Sequence, residues 1–279
     1  MHRYLRAVGF SSIQKREEYE ELVQFTSECY QTEETAVTAD GEDFSERRKA
    51  FAEQMGLMVR GVYDEQDEFH AEYCVPYFIG KAERFYEDMV IERHAEKESY
   101  AGVCDDMNLG VSLIFYLQNV TEYLNRKRYG RMESATASLI LSGLSVEGKV
   151  LMPVYQKMPV VSEIKASQER SRMLQAARDG DEDAIENLTL EDMDMYSMIS
   201  RRITDEDVFS IVTTHFMPCG VECDHYNVMG EILDVELREN NKTQEKVYVL
   251  TIESNEIILD VCINQEDLFG EPKSGRRFR

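Results

Sequence analysis

Residues 246–252 read KVYVLTI, and both alternate sets of positions are largely apolar. A strand sends successive side chains to opposite faces of its sheet, so this one must be covered on both sides. NVMGEILDVELR precedes it across ENNKT, and EIILDVCIN follows it across Ser254 and Asn255. Turn residues at both breaks make the three runs consecutive hairpin strands. VFSIVTTHFM, which starts just after Thr204 and Asp207 in capping-box spacing, is a fourth candidate. A short meander buried on two faces predicts a small closed or half-closed barrel over 204–279. GEPKSGRRFR then predicts one more strand starting at the end of the chain, with an open edge.

The first half repeats the hairpin rhythm. MGLMVRGVYDEQDEFHAEYCVPYFIG reads as two strands joined by DEQDE, and FYEDMVIERHAEKESYAGVCDD as two more. GVSLIFYLQNVTEYL predicts a strand buried on both faces, and SLILSGLSVEGKVLMPVYQKMP a further pair with its break near Glu147 and Gly148. Ahead of these, SSIQKREEYEELVQFTSECY predicts a helix with a serine cap and an inward stripe of Ile13, Tyr19, Leu22, Val23 and Phe25. TEETAVTADGEDFSERRKAF reads as a loop leading into a short helix. From Pro159 to Ile203 the chain turns helical and polar. The predicted fold class is therefore α+β: an antiparallel sheet domain with helices over 1–158, a helical connector over 159–203 and a barrel-like domain over 204–279.

With 279 residues, 43% of them apolar, the chain can bury a core without covalent staples. Its formal net charge is −23, split almost evenly as −11 over residues 1–150 and −12 over the rest. Acidity spread that way argues against nucleic acid and anionic lipid as partners. The longest apolar run, Val111 to Val120, is about half of what a membrane helix needs. No secretory signal opens the chain, and its six cysteines are scattered, so reduced thiols in a cytoplasm are expected.

Several segments carry a resemblance. MHRYLRAVGF, ERHAEKESYAGVCDD, GVSLIFYLQNV, NLTLEDMD, DVFSIV, FMPCGVECD, VCIN and GEPKSGRRF resemble the clostridial proteins grouped as domain of unknown function 3881. The resemblance spans nearly the whole chain. It implies a bacterial, cytoplasmic protein with no assigned activity and no catalytic residues to carry over. The proteins resembled continue beyond the position matching Phe278 with a strand rich in Trp, Leu and Gly, which this chain lacks. That implies a shortened or differently closed carboxy-terminal sheet.

Three clusters contain groups capable of chemistry. His215, Cys219, Cys223 and His225 offer zinc-type donors, but H-x3-C-x3-C-x-H matches no zinc knuckle, and a packed strand corner explains the cysteines. Glu92, Arg93, His94, Glu96, Tyr100 and Asp105 surround a hairpin turn and form the candidate ligand site; a histidine among carboxylates can serve as a general base. Asp179, Asp181 and Asp183 open like a calcium loop, but Ala184 and Leu190 stand where that loop needs Gly and Glu, so they read as a helix start. NRKRYGR, the one dense basic run, reads as the end of a strand or helix. The sequence carries no Walker loop, no H-E-x-x-H and no nucleophile elbow. No cofactor is implied. The sequence thus favours a non-catalytic protein that binds a protein partner, a second copy of itself or a small ligand. The alternatives are a hydrolase using His94 with Glu96 or Asp105, and a zinc protein using the His215 cluster.

Overall fold

The computed structural model describes residues 3–82, 85–93, 98–106, 111–130, 136–153, 172–173, 176, 181, 183–190, 193, 212–221 and 224–279. Strands dominate these residues and form three mainly antiparallel sheets with few helices.

The first sheet is a simple meander of β1 (Thr32–Val37), β2 (Asp43–Ala52), β3 (Met55–Tyr63) and β4 (Phe69–Phe78), each beside its sequence neighbour. DEQDE joins β3 to β4 as expected, with Tyr63 opposite Phe69. TEETAVTADGEDFSERRKAF, expected as a loop and a short helix, is instead the β1–β2 hairpin. Its charges hid the pattern, because they pair across the sheet. The guanidinium of Arg47 donates to Glu33 at 2.9 Å and sits 3.9 Å from the centre of the Phe69 ring. Glu33 also accepts from the hydroxyls of Ser45 and Tyr63. Although its partial burial opposes ionisation, these bonds hold its carboxyl down at about 2.

The helix α1 (Arg16–Glu28) begins later than its sequence suggests. Neither serine caps it: the backbone N–H groups of Ser11 and Ser12 donate to Glu245, far along the chain. Glu18 takes over the start of the helix, accepting from the N–H groups of Gln14 and Lys15.

The second sheet runs β7 (Val111–Tyr116), β6 (Tyr100–Asp106), β5 (Phe85–Arg93), β8 (Thr136–Leu139). GVSLIFYLQNVTEYL, expected as one strand, divides into β7 and the helix α2 (Val120–Arg128), whose last turn holds the basic run. Glu46, on β2 and fully buried, makes the joint between α2 and the first sheet. Its Oε2 accepts from the Thr121 N–H at 3.1 Å, and its Oε1 accepts from the Arg60 Nε–H at 2.7 Å.

The third sheet has the order β15–β10–β16–β12–β13–β14–β9, with β11 (His215–Pro218) against the start of β12. Three members are the expected meander: β12 (Tyr226–Glu239), β13 (Lys246–Ser254) and β14 (Ile257–Asn264). Asn255 and Glu256 both take positive φ, as the tight β13–β14 turn requires. The others come from elsewhere. β9 (Ser142–Ser145) lies parallel to β14, while β10 (Gly148–Leu151) pairs with β15 (Leu268–Phe269) and β16 (Arg277–Phe278). The expected β9–β10 pair does not form, and both strands join the carboxy-terminal sheet despite lying within 1–158.

Among the described residues this sheet stays open at β15 and β9, so the expected barrel is not found. The two-sided burial of KVYVLTI is real, but its cause differs. Val247 and Val249 pack against Phe10, Phe51, Met55 and Leu57 under the first sheet. Leu250 and Ile252, on the other face, pack with Leu113, Phe216, Ile263 and Phe278. Covering layers replace closure, and burying each such side chain contributes roughly 1.5–3 kcal/mol. The last strand is no open edge either: Phe278 stands between Val150 on β10 and Gly230 on β12.

Polar ties fasten the layers. The first residues form a 3-10 turn, Arg3–Val8, in which Arg6 grips Asp267 and Asn240 donates to the Val8 carbonyl at 2.9 Å. Asp260 on β14 accepts from the N–H groups of Lys81 and Ala82 just after β4. A side chain on Gly80 would come within 2.8 Å of Ser142 Oγ, so glycine is needed there. The guanidinium of Arg277 donates to the carbonyls of Met152 and Val212, bringing together the points where the chain leaves the third sheet and returns to it. Burial pushes its pKa down.

Candidate functional site

A cleft of about 1740 Å³ opens where the three sheets meet. Its walls come from β4, β7, β9 and the β11–β12 hairpin, and apolar side chains such as Met58, Phe115, Phe216, Leu259 and Phe278 line much of it. β4, β7 and β9 are sheet edges, and on β4 and β7 side chains take outward hydrogen bonds. The Gln118 amide accepts from the Phe78 N–H at 3.2 Å and donates to the Phe78 carbonyl at 2.9 Å. The Tyr226 hydroxyl accepts from the Ile114 N–H at 2.7 Å and donates to its carbonyl at 3.2 Å. Both edges are thereby partly blunted against an added strand.

Arg60 lies at the base of the cleft with its charge already used. It donates to Glu46, to the Tyr73 hydroxyl at 3.2 Å and to the Leu117 carbonyl at 3.1 Å. The mouth is different. Val221 is fully exposed there, Phe269 is 73% exposed, and Lys149 reaches to 5.7 Å from the Phe269 ring. The lining carries four basic residues (Arg3, Arg60, Lys149, Arg279) and four acidic ones (Glu147, Asp224, Glu266, Asp267). The cleft is therefore formally neutral in a chain of net charge −23.

The sequence candidates fall in different places. His94 and Glu96 lie outside the described residues. Arg93 and Tyr100 face each other across the β5–β6 hairpin and meet at Glu98. Arg93 lies 2.7 Å from one buried Glu98 oxygen, and the Tyr100 hydroxyl donates to the other at 2.6 Å. Burial, then the hydrogen bond to Glu98 and its charge, raise the Tyr100 pKa. Arg93 also donates to Asp40, a member the sequence did not suggest. Glu92 stands opposite Ala101, and Asp105 opposite Ser112 towards the far end of β6. Glu92, Arg93 and Tyr100 do not line the cleft.

The second cluster is spread along the β11–β12 hairpin. His215 stands opposite Met229, with Nε2 2.9 Å from Asn227 Oδ1. Cys219 and His225 sit at the turn, joined by a 2.9 Å bond from the Cys219 N–H to the His225 carbonyl, and both line the cleft mouth. The His225 ring meets Tyr4 edge-on at 5.5 Å. Cys223 lies outside the described residues. In the third cluster, Asp181 accepts from the N–H groups of Asp183 and Ala184 and so caps the helical run 183–190, while Asp179 lies outside the described residues. Among the described residues one metal-type donor group gathers, and the sequence did not single it out: Asp64 and Glu68 on the β3–β4 turn with His70 at the start of β4.

Residues 5–279 match the family described as "Domain of unknown function, E. rectale Gene description (DUF3881)". The chain belongs to the DUF3881 family. No curated protein and no solved structure matches it. In this DUF3881 protein, several segments that carry the resemblance sit at joints between layers. MHRYLRAVGF supplies Arg6 and Val8 to the third sheet, VCIN supplies Asn264, whose amide donates to Glu245 at 2.7 Å, and GEPKSGRRF supplies Arg277 and Phe278. No described helix of the protein is long and apolar enough to cross a membrane.

Proposed function

We propose that this DUF3881 protein is a non-catalytic cytoplasmic binding protein whose inter-sheet cleft receives a segment of another polypeptide. The cleft itself carries the reading. About 1740 Å³ exceeds the roughly 300–1,000 Å³ of a small-molecule pocket, and its mouth offers exposed Val221 and Phe269 beside Tyr4 and Lys149. Aromatic and aliphatic anchors with few net charges suit the centre of a protein interface. Local neutrality lets a partner approach where an acidic surface would oppose many of them. Arg93, Glu98 and Tyr100 spend their polar groups on one another, which favours binding over hydrolysis. Among the described residues, Cys29, Cys74, Cys104, Cys219 and Cys262 form no disulfide, in keeping with a reducing compartment.

Site-specific photocrosslinking in the native host tests this. A photoreactive residue at Val221 or Phe269 is expected to trap one discrete polypeptide, and the same probe at exposed Leu237, away from the cleft, is not. Phe269→Glu should weaken the trapped partner's affinity by about tenfold or more. Equal labelling from all three positions, or none from the cleft, rejects the reading. A bound mass of a few hundred daltons in native mass spectrometry would instead favour a small ligand.

A further inference from the structure

The turn between β3 and β4 holds a donor set apart from the cleft. One carboxylate oxygen of Asp64, one of Glu68 and a ring nitrogen of His70 all lie within 4.8 Å of one another. Asp64 is oriented by its own turn: Oδ1 accepts from the N–H groups of Gln66 at 2.8 Å and Glu68 at 2.9 Å. Its Oδ2 faces His70 Nε2 at 2.6 Å. Glu68 then brings a second carboxylate to the pair. Among the described residues, no lysine or arginine pairs with Asp64 or Glu68. The nearby arginines are engaged, Arg47 with Glu33 and Arg60 with Glu46. Asp64, Glu65, Asp67, Glu68 and Glu72 crowd one short stretch, which raises the local concentration of cations.

We propose that Asp64, Glu68 and His70 form a three-ligand site for a borderline divalent metal ion of the zinc type, with water completing its coordination. An imidazole with two carboxylates suits such ions, whereas calcium and magnesium take oxygen ligands. Donors around tetrahedral zinc stand about 3.3 Å apart, so exposed Glu68 and His70 need only turn inwards to complete the set. The ion takes the place of the direct Asp64 Oδ2–His70 Nε2 contact with a bond to each group.

Titration calorimetry of the untagged full chain, stripped with chelator and titrated with zinc chloride, tests the site. One equivalent is expected to bind. His70→Ala should weaken that equivalent at least tenfold, and so should Asp64→Asn, which keeps an acceptor for the turn. A Cys219→Ser, Cys223→Ser variant should retain it, separating this site from the thiol-bearing hairpin. Calcium chloride should give no matching heat. Zinc should raise the melting temperature of the parent protein but not of His70→Ala, with all metal-free proteins melting alike. Unchanged affinity in His70→Ala and Asp64→Asn, loss only in the thiol variant, or a dissociation constant above about 1 mM overturns the proposal.

Discussion

The first and third sheets reach similar burial by opposite routes. In the first, every strand lies beside its sequence neighbour, so each pairing closes a short loop. In the third, only the β12–β13–β14 meander and the β11–β12 pair join successive strands; β9, β10, β15 and β16 are gathered from residues 142 to 278. A meander is held by its turns, whereas a gathered sheet depends on polar and apolar joints between distant segments.

Four substitutions test that contrast. The largest effect is expected from Glu46→Ala, which leaves Arg60 buried without its counter-charge and removes the acceptor at the start of α2. It should cost about 3–5 kcal/mol in urea denaturation. A loss below 1 kcal/mol would mean that the first sheet needs no external joint. Asp260→Ala comes next, because it strands the N–H groups of Lys81 and Ala82 and the Thr251 hydroxyl. About 2–3 kcal/mol is expected, with faster amide exchange in β9 and β14 and unchanged protection in β2 and β3. Equal deprotection of both sheets would erase the distinction.

Gly148→Ala tests the gathered sheet by crowding. Its new methyl would meet the Phe278 ring at 2.5 Å, at an expected cost of about 1–2 kcal/mol. An effect of similar size, with a pH dependence confined to acid, belongs to the β1–β2 hairpin. The Glu33 carboxyl is held at about 2 in the folded chain, below its ordinary 4.5. Its contribution is therefore complete above pH 4.5 and is lost as pH falls towards 2. Discounted for solvent screening, it is worth about 1–2 kcal/mol. Glu33→Gln should lower stability at pH 7 by that amount and flatten the acid limb of the stability curve, because the lost contribution is the one that fades between pH 4.5 and 2. An unchanged acid limb would show that the cage contributes nothing to acid sensitivity.

The contrast also governs what the sequence reveals. The β3–β4 and β13–β14 hairpins are legible because strand, turn and strand are contiguous and their apolar residues face a core. The β1–β2 hairpin is not, since Glu33, Glu46 and Arg47 satisfy their polarity within the fold and leave no apolar alternation to read. KVYVLTI shows that two faces are buried but not by what: periodicity counts covered faces without identifying the cover. The cleft is harder still, because β4, β7, β9 and β12 bring its walls from distant stretches. Cys219 and His225 stand out as metal-type donors, yet they line its mouth, and Val221 and Phe269 carry no signal beyond being apolar residues in polar stretches. Asp64, Glu68 and His70 look in sequence like any polar turn.

The interior position of β16 fixes an order of events in the cell. β10 and β12 cannot be bridged until Arg277 and Phe278 have left the ribosome, and Arg277 comes 126 positions after Leu151. At synthesis rates of about 5–20 residues per second, β10 waits roughly 6–25 s for its neighbour. The meander of residues 32–78 can assemble meanwhile against α1, but the part of its underside that Val247, Val249 and Cys262 cover stays wet until the later strands arrive. A nascent chain that folds in this order exposes the rest of that apolar face, and a chaperone then has most to shield.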